Sequence, residues 1–428
     1  MKFTAAGDCI IQRRKPKDYE GFDEVRAIIE EGDAKFFNLE TTLNREGECF
    51  ASQFSGGTYI RTNPEALDDL KEFGFNMTSF NNNHAFDFSY EGFYKTLEAL
   101  DESGLVHAGA GMNLDEAAAP KFLDTKDGRV ALISLNTSFN DAMLAGKASG
   151  RVKGRPGIFG LRSNRKIVVD KEAFEKLGEV IEKTNLNASE KIRINEGYAK
   201  PLPDGVLELD GTRFEMGEDV GIKTSVNEKD MAQVLKSIEE AKFLADYVII
   251  SVHSHQISGK NKETPSDFLV EFAHRCIDAG ADAIVGHGPH LLRPVEVYKD
   301  RPIFYSLGDF ILQLYSVEFA PFDFYDKVGL SSDLTVHELL KTRSRDFTIG
   351  LMEQRVMFQS IVPSWEMEDG KLKSLKLYPV EAKMKGKKSE VGLPELAKDD
   401  DIFKRLSQMS EPYGVKMKNC GKYIECSW

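Results

Sequence analysis

Cysteine is scarce and scattered in this 428-residue chain. The five residues, Cys9, Cys49, Cys276, Cys420 and Cys426, are odd in number and form no CxxC pair. That pattern excludes a zinc ribbon and a disulfide framework and fits a reducing compartment. No apolar run is long enough to span a bilayer, and the N-terminus does not read as a signal peptide. Met1 to Ala6 reads instead as a short strand, so the expected location is cytoplasmic, without a membrane anchor. Positive charge is in deficit, with 56 Lys and Arg against 69 Asp and Glu, a formal net charge of -13. This excludes a protein that coats nucleic acid. There is no fixed-period repeat and no long low-complexity run. What remains, at 41% hydrophobic and 29% charged residues, is ordinary for a globular protein.

Hydrophobic patterning alternates between strand and helix. Strand-like runs lie at Lys2–Ala6, Ala34–Leu39, Phe75–Phe80, Val106–Ala108, Val130–Leu135, Tyr247–Val252, Ala283–Val285 and Pro302–Leu307. Helical spacing marks Asp23–Glu31, the segment from Asn63-Pro64 to Gly74, Ser89–Ser103, Glu228–Ala245 and Ser266–Gly280. Such alternation predicts an α/β layered core. Two irregular stretches interrupt it, one glycine-punctuated and charged (about 137–228), one aromatic (about 313–354). They read as insertions into a single domain over residues 1–382, forming a cap over the site. Two strand-like runs follow, Val356–Met367 and Leu372–Pro379, and residues 383–428 read as a polar, lysine-rich tail.

Polar residues recur immediately after the predicted strands. They are Asp8, Glu40, Asn83 with His84, His253 with His255, and His287 with His290; five of the eight histidines fall in these groups. Taken singly, each has a structural reading: a turn aspartate, a capping glutamate, a polar asparagine turn, a satisfied core pair of histidines. Taken together, they stand where a layered α/β sheet carries its sites, at the carboxyl ends of its strands. Carboxylate, amide and imidazole form the mixed oxygen and nitrogen set that holds Mn, Fe or Zn. A two-ion site needs a bridging carboxylate, for which Glu40 and Asp8 are both available, and such a pair activates water at neutral pH.

Six stretches carry a resemblance: GDCII at Gly7–Ile11, FFNLETTL at Phe36–Leu43, FNNNHAFDFS at Phe80–Ser89, VHSHQ at Val252–Gln256, GADAIVGHGPH at Gly280–His290 and IFYSLGDF at Ile303–Phe310. In this order they resemble the CapA family of poly-γ-glutamate capsule synthesis proteins. The resemblance implies a calcineurin-like metallophosphoesterase fold, a four-layer sandwich of two β-sheets flanked by helices, with a binuclear metal site. It implies that Asp8, Glu40, Asn83, His253, His287 and His290 are metal ligands and that His84 is a catalytic histidine outside the ligand shell. Three departures stand out, one of them Glu40 in place of the usual bridging aspartate. Ile10 occupies the position of a superfamily histidine, a loss that His255 is placed to replace, either as ligand or as a catalytic group. The usual GHxH is stretched to GHGPH.

For the substrate, Arg13, Arg14 and Arg61 lie near motif loops, and Arg151 and Arg155 belong to a basic cluster in the first insertion. Guanidinium forks match carboxylates; the alternative is a solvated charged loop. The expected activity is metal-dependent hydrolysis of an amide bond in a peptide or anionic γ-glutamyl substrate. A peptide epimerase is the alternative, since a lasso-peptide epimerase shares the fold family. A phosphoesterase and a non-catalytic capsule-synthesis accessory protein are the further readings.

Overall fold

The computed structural model describes residues 1–428 as a mixed α/β fold with several sheets. The first strand, Lys2–Ile10, is central to a ten-stranded sheet. On one side it pairs in parallel with Ala34–Leu39, which continues to Met77–Ser79 and Val106–Ala108. On the other it pairs antiparallel with Gln359–Glu368, which leads to Lys371–Ala382. A second, six-stranded sheet runs Val295–Tyr298, Arg301–Phe304, Ala283–His287, Tyr247–His253, Gly128–Asn136, Lys121–Thr125.

Period-two alternation explains how the sheets pack. Phe3, Ala5 and Phe36 of the first sheet and Val130, Leu132, Ile249 and Val285 of the second form one apolar cluster. The intervening residues point the other way. Ala6, Phe37 and Leu39 pack with Val25, Ile29, Leu70 and Phe93 from the helices Phe22–Ile29, Ala66–Glu72 and Ser89–Ser103. Ala131, Ile133, Ile250 and Ile284 pack with Val234, Ile238, Phe268 and Phe272 from the helices Glu228–Leu244 and Asp267–Ala279. Strands buried on both faces read as near-continuous apolar runs, which is why they were conspicuous in the sequence. No helix is long and apolar enough to cross a membrane.

The irregular stretches are structured. Residues 163–226 hold a four-stranded sheet, which meets the helix Asp267–Ala279 where Thr224 Oγ1 accepts from Phe268 N. The aromatic insertion forms the helices Phe322–Val328 and Val336–Arg343. Phe324, Tyr325 and Leu339 pack there on Ile10, Tyr59, Ile60 and Leu291. The segment read as a polar tail is part of the core. Pro394–Leu396 and Ile424–Ser427 pair with Lys371–Ala382, and Ile402 and Leu406 of the helix Asp401–Ser410 join the cluster between the sheets. Lys404 of that helix and Lys416 and Lys418 of the edge strand Lys416–Asn419 are exposed.

Candidate metal centre

The carboxyl ends of parallel strands from the two sheets meet at one place. The first sheet supplies Asp8, Glu40 and the Asn83-His84 turn, together with Asp309 at the start of the strand Asp309–Leu312; the second supplies His253, His255, His287 and His290. His253 and His287 are register partners in adjacent parallel strands, and their Nδ1 atoms lie 3.0 Å apart. His253 Nε2 lies 3.1 Å from His255 Nε2.

Local backbone geometry aims these groups. The pairing register of the first strand shifts on both sides of Asp8, an irregularity of the kind that re-aims a side chain. Gly7 permits it, since a Cβ there would collide with the Gly308 carbonyl. Gly288, at φ 117°, turns the chain after the His287 strand, and a Cβ there would lie 2.9 Å from Ser254 N. Its N–H donates to Asp8 Oδ2 at 2.8 Å. His290 is left-handed at φ 61°, a strained conformation held by its surroundings.

Supporting contacts fix the rings and carboxylates. Asn38 Nδ2 donates to Asp8 Oδ1 at 2.6 Å. Ser251 Oγ lies 2.7 Å from His287 Nε2, and Asp309 Oδ1 lies 3.0 Å from His290 Nδ1. His84 Nδ1 is 2.7 Å from Asp87 Oδ2; Asp87 also accepts from Gly56 N and Ile60 N, both at 2.9 Å. That leaves His84 Nε2 facing Glu40 Oε1 at 3.9 Å. Arg293, wholly buried, donates to the carbonyls of Ser254, His255 and Gln256 at 2.9–3.4 Å and so holds the loop that carries His255.

Four buried acceptor atoms here have no hydrogen-bond donor: both Glu40 carboxylate oxygens, Asn83 Oδ1 and Asp309 Oδ2. Orphaned acceptors in so dry a place are costly unless a cation meets them. The donor atoms also cluster in three overlapping groups, each within 4.8 Å: Asp8, His253 and His287; Glu40, His253 and His255; Asp8, Glu40, His290 and Asp309. The residues therefore fit a metal, and these groups could hold one.

Burial controls the protonation of the set. It pushes the Asp8 carboxyl up to about 7, with Asp309 adding to the shift. It raises Glu40 well above the usual range, with Asp8 and Asp309 contributing, and raises Asp309 against the pull of His290. It holds His253 and His255 well below the usual imidazole value and brings His287 down to about 3. For His290 burial acts downward, but Asp309 and Asp8 together outweigh it and the imidazole is held above its usual value.

Every expected metal and catalytic residue is thus in or beside one cluster. The three consecutive asparagines divide their work. Asn81 Nδ2 donates to the Ser134 and Phe159 carbonyls and Asn82 Nδ2 to Leu39 O. Asn83 lines an open cavity of about 350 Å³ with His255, Phe54, Phe139 and Met143. Ile10, at the departure from the family pattern, packs among the apolar side chains under the second insertion. The arginines are placed apart from the cluster. Arg13, Arg14 and Arg61 share a different cavity; Arg151 is exposed, as is Arg155, whose Nε donates to Leu144 O. Four participants escaped sequence reasoning: Asp309, Asp87, Asn38 and Ser251. Asp309, Asp87 and Asn38 were at least present in the quoted motifs.

The comparisons with known proteins agree with the quoted motifs. The family model described as "Bacterial capsule synthesis protein PGA_cap" matches residues 2–314, a span that holds the whole cluster. An uncharacterized Sinorhizobium fredii protein, y4sH, is 35% identical over 430 residues, 97% of this chain and 90% of the relative. The PGA biosynthesis protein CapA of Bacillus subtilis is 27% identical over 290 residues, 68% of this chain and 56% of the relative. A probable polyglutamine synthesis accessory protein of Mycobacterium tuberculosis is 28% identical over 292 residues, 67% of this chain and 58% of the relative. The chain belongs to the PGA_cap, or CapA, family of the metallophosphoesterase-like superfamily.

Proposed function

We propose that this protein is a metal-dependent enzyme that hydrolyses an amide bond in a γ-glutamyl or related peptide substrate. The observation that carries the reading is the set of orphaned acceptors on Glu40, Asn83 and Asp309 amid imidazoles that burial keeps neutral. Two divalent ions, Mn, Fe or Zn, would be held among the overlapping donor groups, to more than one of which Asp8 and Glu40 belong. When bound, such a pair supplies Lewis-acid polarisation of a carbonyl and a nucleophile at neutral pH. The two facing sheets and their outer helices fit the calcineurin-like four-layer sandwich. The substrate class follows from relatives whose names refer to PGA biosynthesis and capsule biosynthesis.

The chain's own residues have separable tasks. Asn83 and His255 flank the cavity of about 350 Å³ through which a peptide bond reaches the cluster. Asp87 pins one ring nitrogen of His84, so the other can give a proton to the departing amine nitrogen. Phe54, Phe139 and Met143 supply an apolar wall on one side of the cavity.

The test is mass spectrometry of γ-glutamyl oligomers and peptides with aromatic C-termini, incubated with Mn-loaded protein in heavy water. Fragment masses are the expected result and name the bond. Intact peptides that gain deuterium at an α-carbon would replace hydrolysis with epimerisation. Neither change, with Mn, Fe or Zn loaded in turn, would overturn the enzymatic reading.

A further inference from the structure

Beyond the metal cluster lies a second polar cavity of about 270 Å³, between the end of the first strand and the aromatic insertion. Arg13 and Arg61 both line it, and both are half-buried. Neither forms an ion pair. Arg61 donates to the Asn44 carbonyl at 3.0 Å and lies over the Phe319 ring at 4.7 Å. Arg13 donates to the Ser316 hydroxyl and to the Lys388 and Val391 carbonyls. Its Nε–H is buried without an acceptor. Arg14, in contrast, is committed to Asp69 at 2.8 Å. Glu46 and Glu318 also line the cavity, but they are exposed and pair with neither guanidinium.

Gln313 adds an independent sign. It is 1% exposed, and its Oε1 accepts from Gln12 N at 2.9 Å and Arg13 N at 3.1 Å. That leaves its Nε2 group buried without an acceptor. Gln313 lines an adjoining cavity of about 410 Å³ that shares Arg13 and Ser316 with the first. Three side chains, Arg13 and Arg61 without an ion pair and Gln313 with an orphaned donor like that of Arg13, surround adjoining cavities and ask for one kind of occupant, an oxygen-rich anion. A fork of planar N–H donors suits a carboxylate.

The placement relates this cavity to the metal cluster. Asp8 and Asp309 are register partners in parallel strands. Gln12 lies four residues beyond Asp8, and Gln313 four beyond Asp309, at most about 13 Å of extended chain in each case. We propose that these two adjoining cavities form a carboxylate-binding subsite, which grips acidic groups of the substrate through Arg13 and Arg61 in the first and Arg13 and Gln313 in the second, while the scissile bond lies at the metal cluster. The proposal rests on the γ-glutamyl reading above, and it takes only two of the five arginines singled out in the sequence as the anion clamp.

Calorimetry on the full chain tests it, with γ-glutamylglutamate, its fully amidated form and inorganic phosphate as probes. Arg13→Met would also release the contacts to residues 388 and 391, so the informative variants are Arg61→Met and Gln313→Glu. The second keeps the acceptor for two backbone N–H groups but faces the ligand with a negative charge. The expected result is binding of the dipeptide that weakens about tenfold or more in each variant, with no binding of the amide. No binding of the dipeptide, or equal binding in both variants, overturns the subsite. Phosphate binding as tightly through the same residues overturns its assignment to carboxylate. The two readings separate by turnover. Oligomers cleaved with unchanged KM in both variants would remove the subsite and keep the enzyme. Dipeptide bound through Arg61 with no oligomer cleaved would keep the subsite and remove the enzyme.

Discussion

Asp8, Glu40 and Asp309 are carboxyl groups crowded together out of water, and that crowding dictates how metal binding responds to pH. Burial raises all three, and repulsion from neighbouring carboxylates adds to the shift of Glu40 and to that of Asp8, which reaches about 7. A ligand must be ionised, so below these values a proton has to leave as the metal enters. The depressed imidazoles of His253, His255 and His287 are already neutral and release nothing. Affinity therefore climbs as pH rises through about 7. At about pH 6.5, titration with Mn in two buffers of different ionisation enthalpy should show net proton release. Equal heats in the two buffers, or proton uptake, would contradict these shifts. Arg293 invites a second test. Its buried guanidinium serves carbonyl oxygens on both sides of His255, and Arg293→Met strands them. The expected cost is on the order of 3–5 kcal/mol, read as a lower melting temperature together with weaker metal retention. Unchanged values of both would show that the loop holds itself.

At the scale of strands and helices, the candidate metal ligands were legible because they follow apolar runs that mark buried strands, and a strand's end is a local feature. Asp309 was not legible for a topological reason. Pro302–Leu307 reads as one strand closed by Gly308-Asp309, whereas the chain leaves the second sheet after Phe304 and opens a strand of the first sheet at Asp309. Nothing within a short window announces a change of sheet. Asp87, Asn38 and Ser251 were hidden differently: their importance lies in a partner that the chain brings near only on folding. The C-terminal elements did carry a signal. Ile424 and Cys426 are buried while Glu425 and Ser427 are exposed, and Ile402 and Leu406 share a helix face, but the lysine content outweighed so short a pattern. Removing residues 394–428 should therefore uncover Trp365, Leu375 and Leu377 between the sheets and yield insoluble or protease-sensitive protein. A truncated chain with the full-length melting temperature would contradict the assignment of this segment to the core.

For the whole molecule, two sheets that share one apolar interface bring together polar groups more than 300 residues apart in sequence, from Asp8 to Asp309. The first sheet contributes mostly oxygen donors and the second nitrogen donors, so neither sheet alone could build the centre. The most direct test is elemental analysis of Mn-reconstituted protein after desalting, for the wild-type chain, Glu40→Gln and Asn83→Ala, with melting curves to confirm that each is folded. The account predicts about two ions per chain in the wild type and a clear loss in both variants, the larger in Glu40→Gln, because its two orphaned oxygens serve the groups around both His255 and His290. Metal-free wild-type protein after reconstitution, or folded variants that keep the full complement, would contradict it.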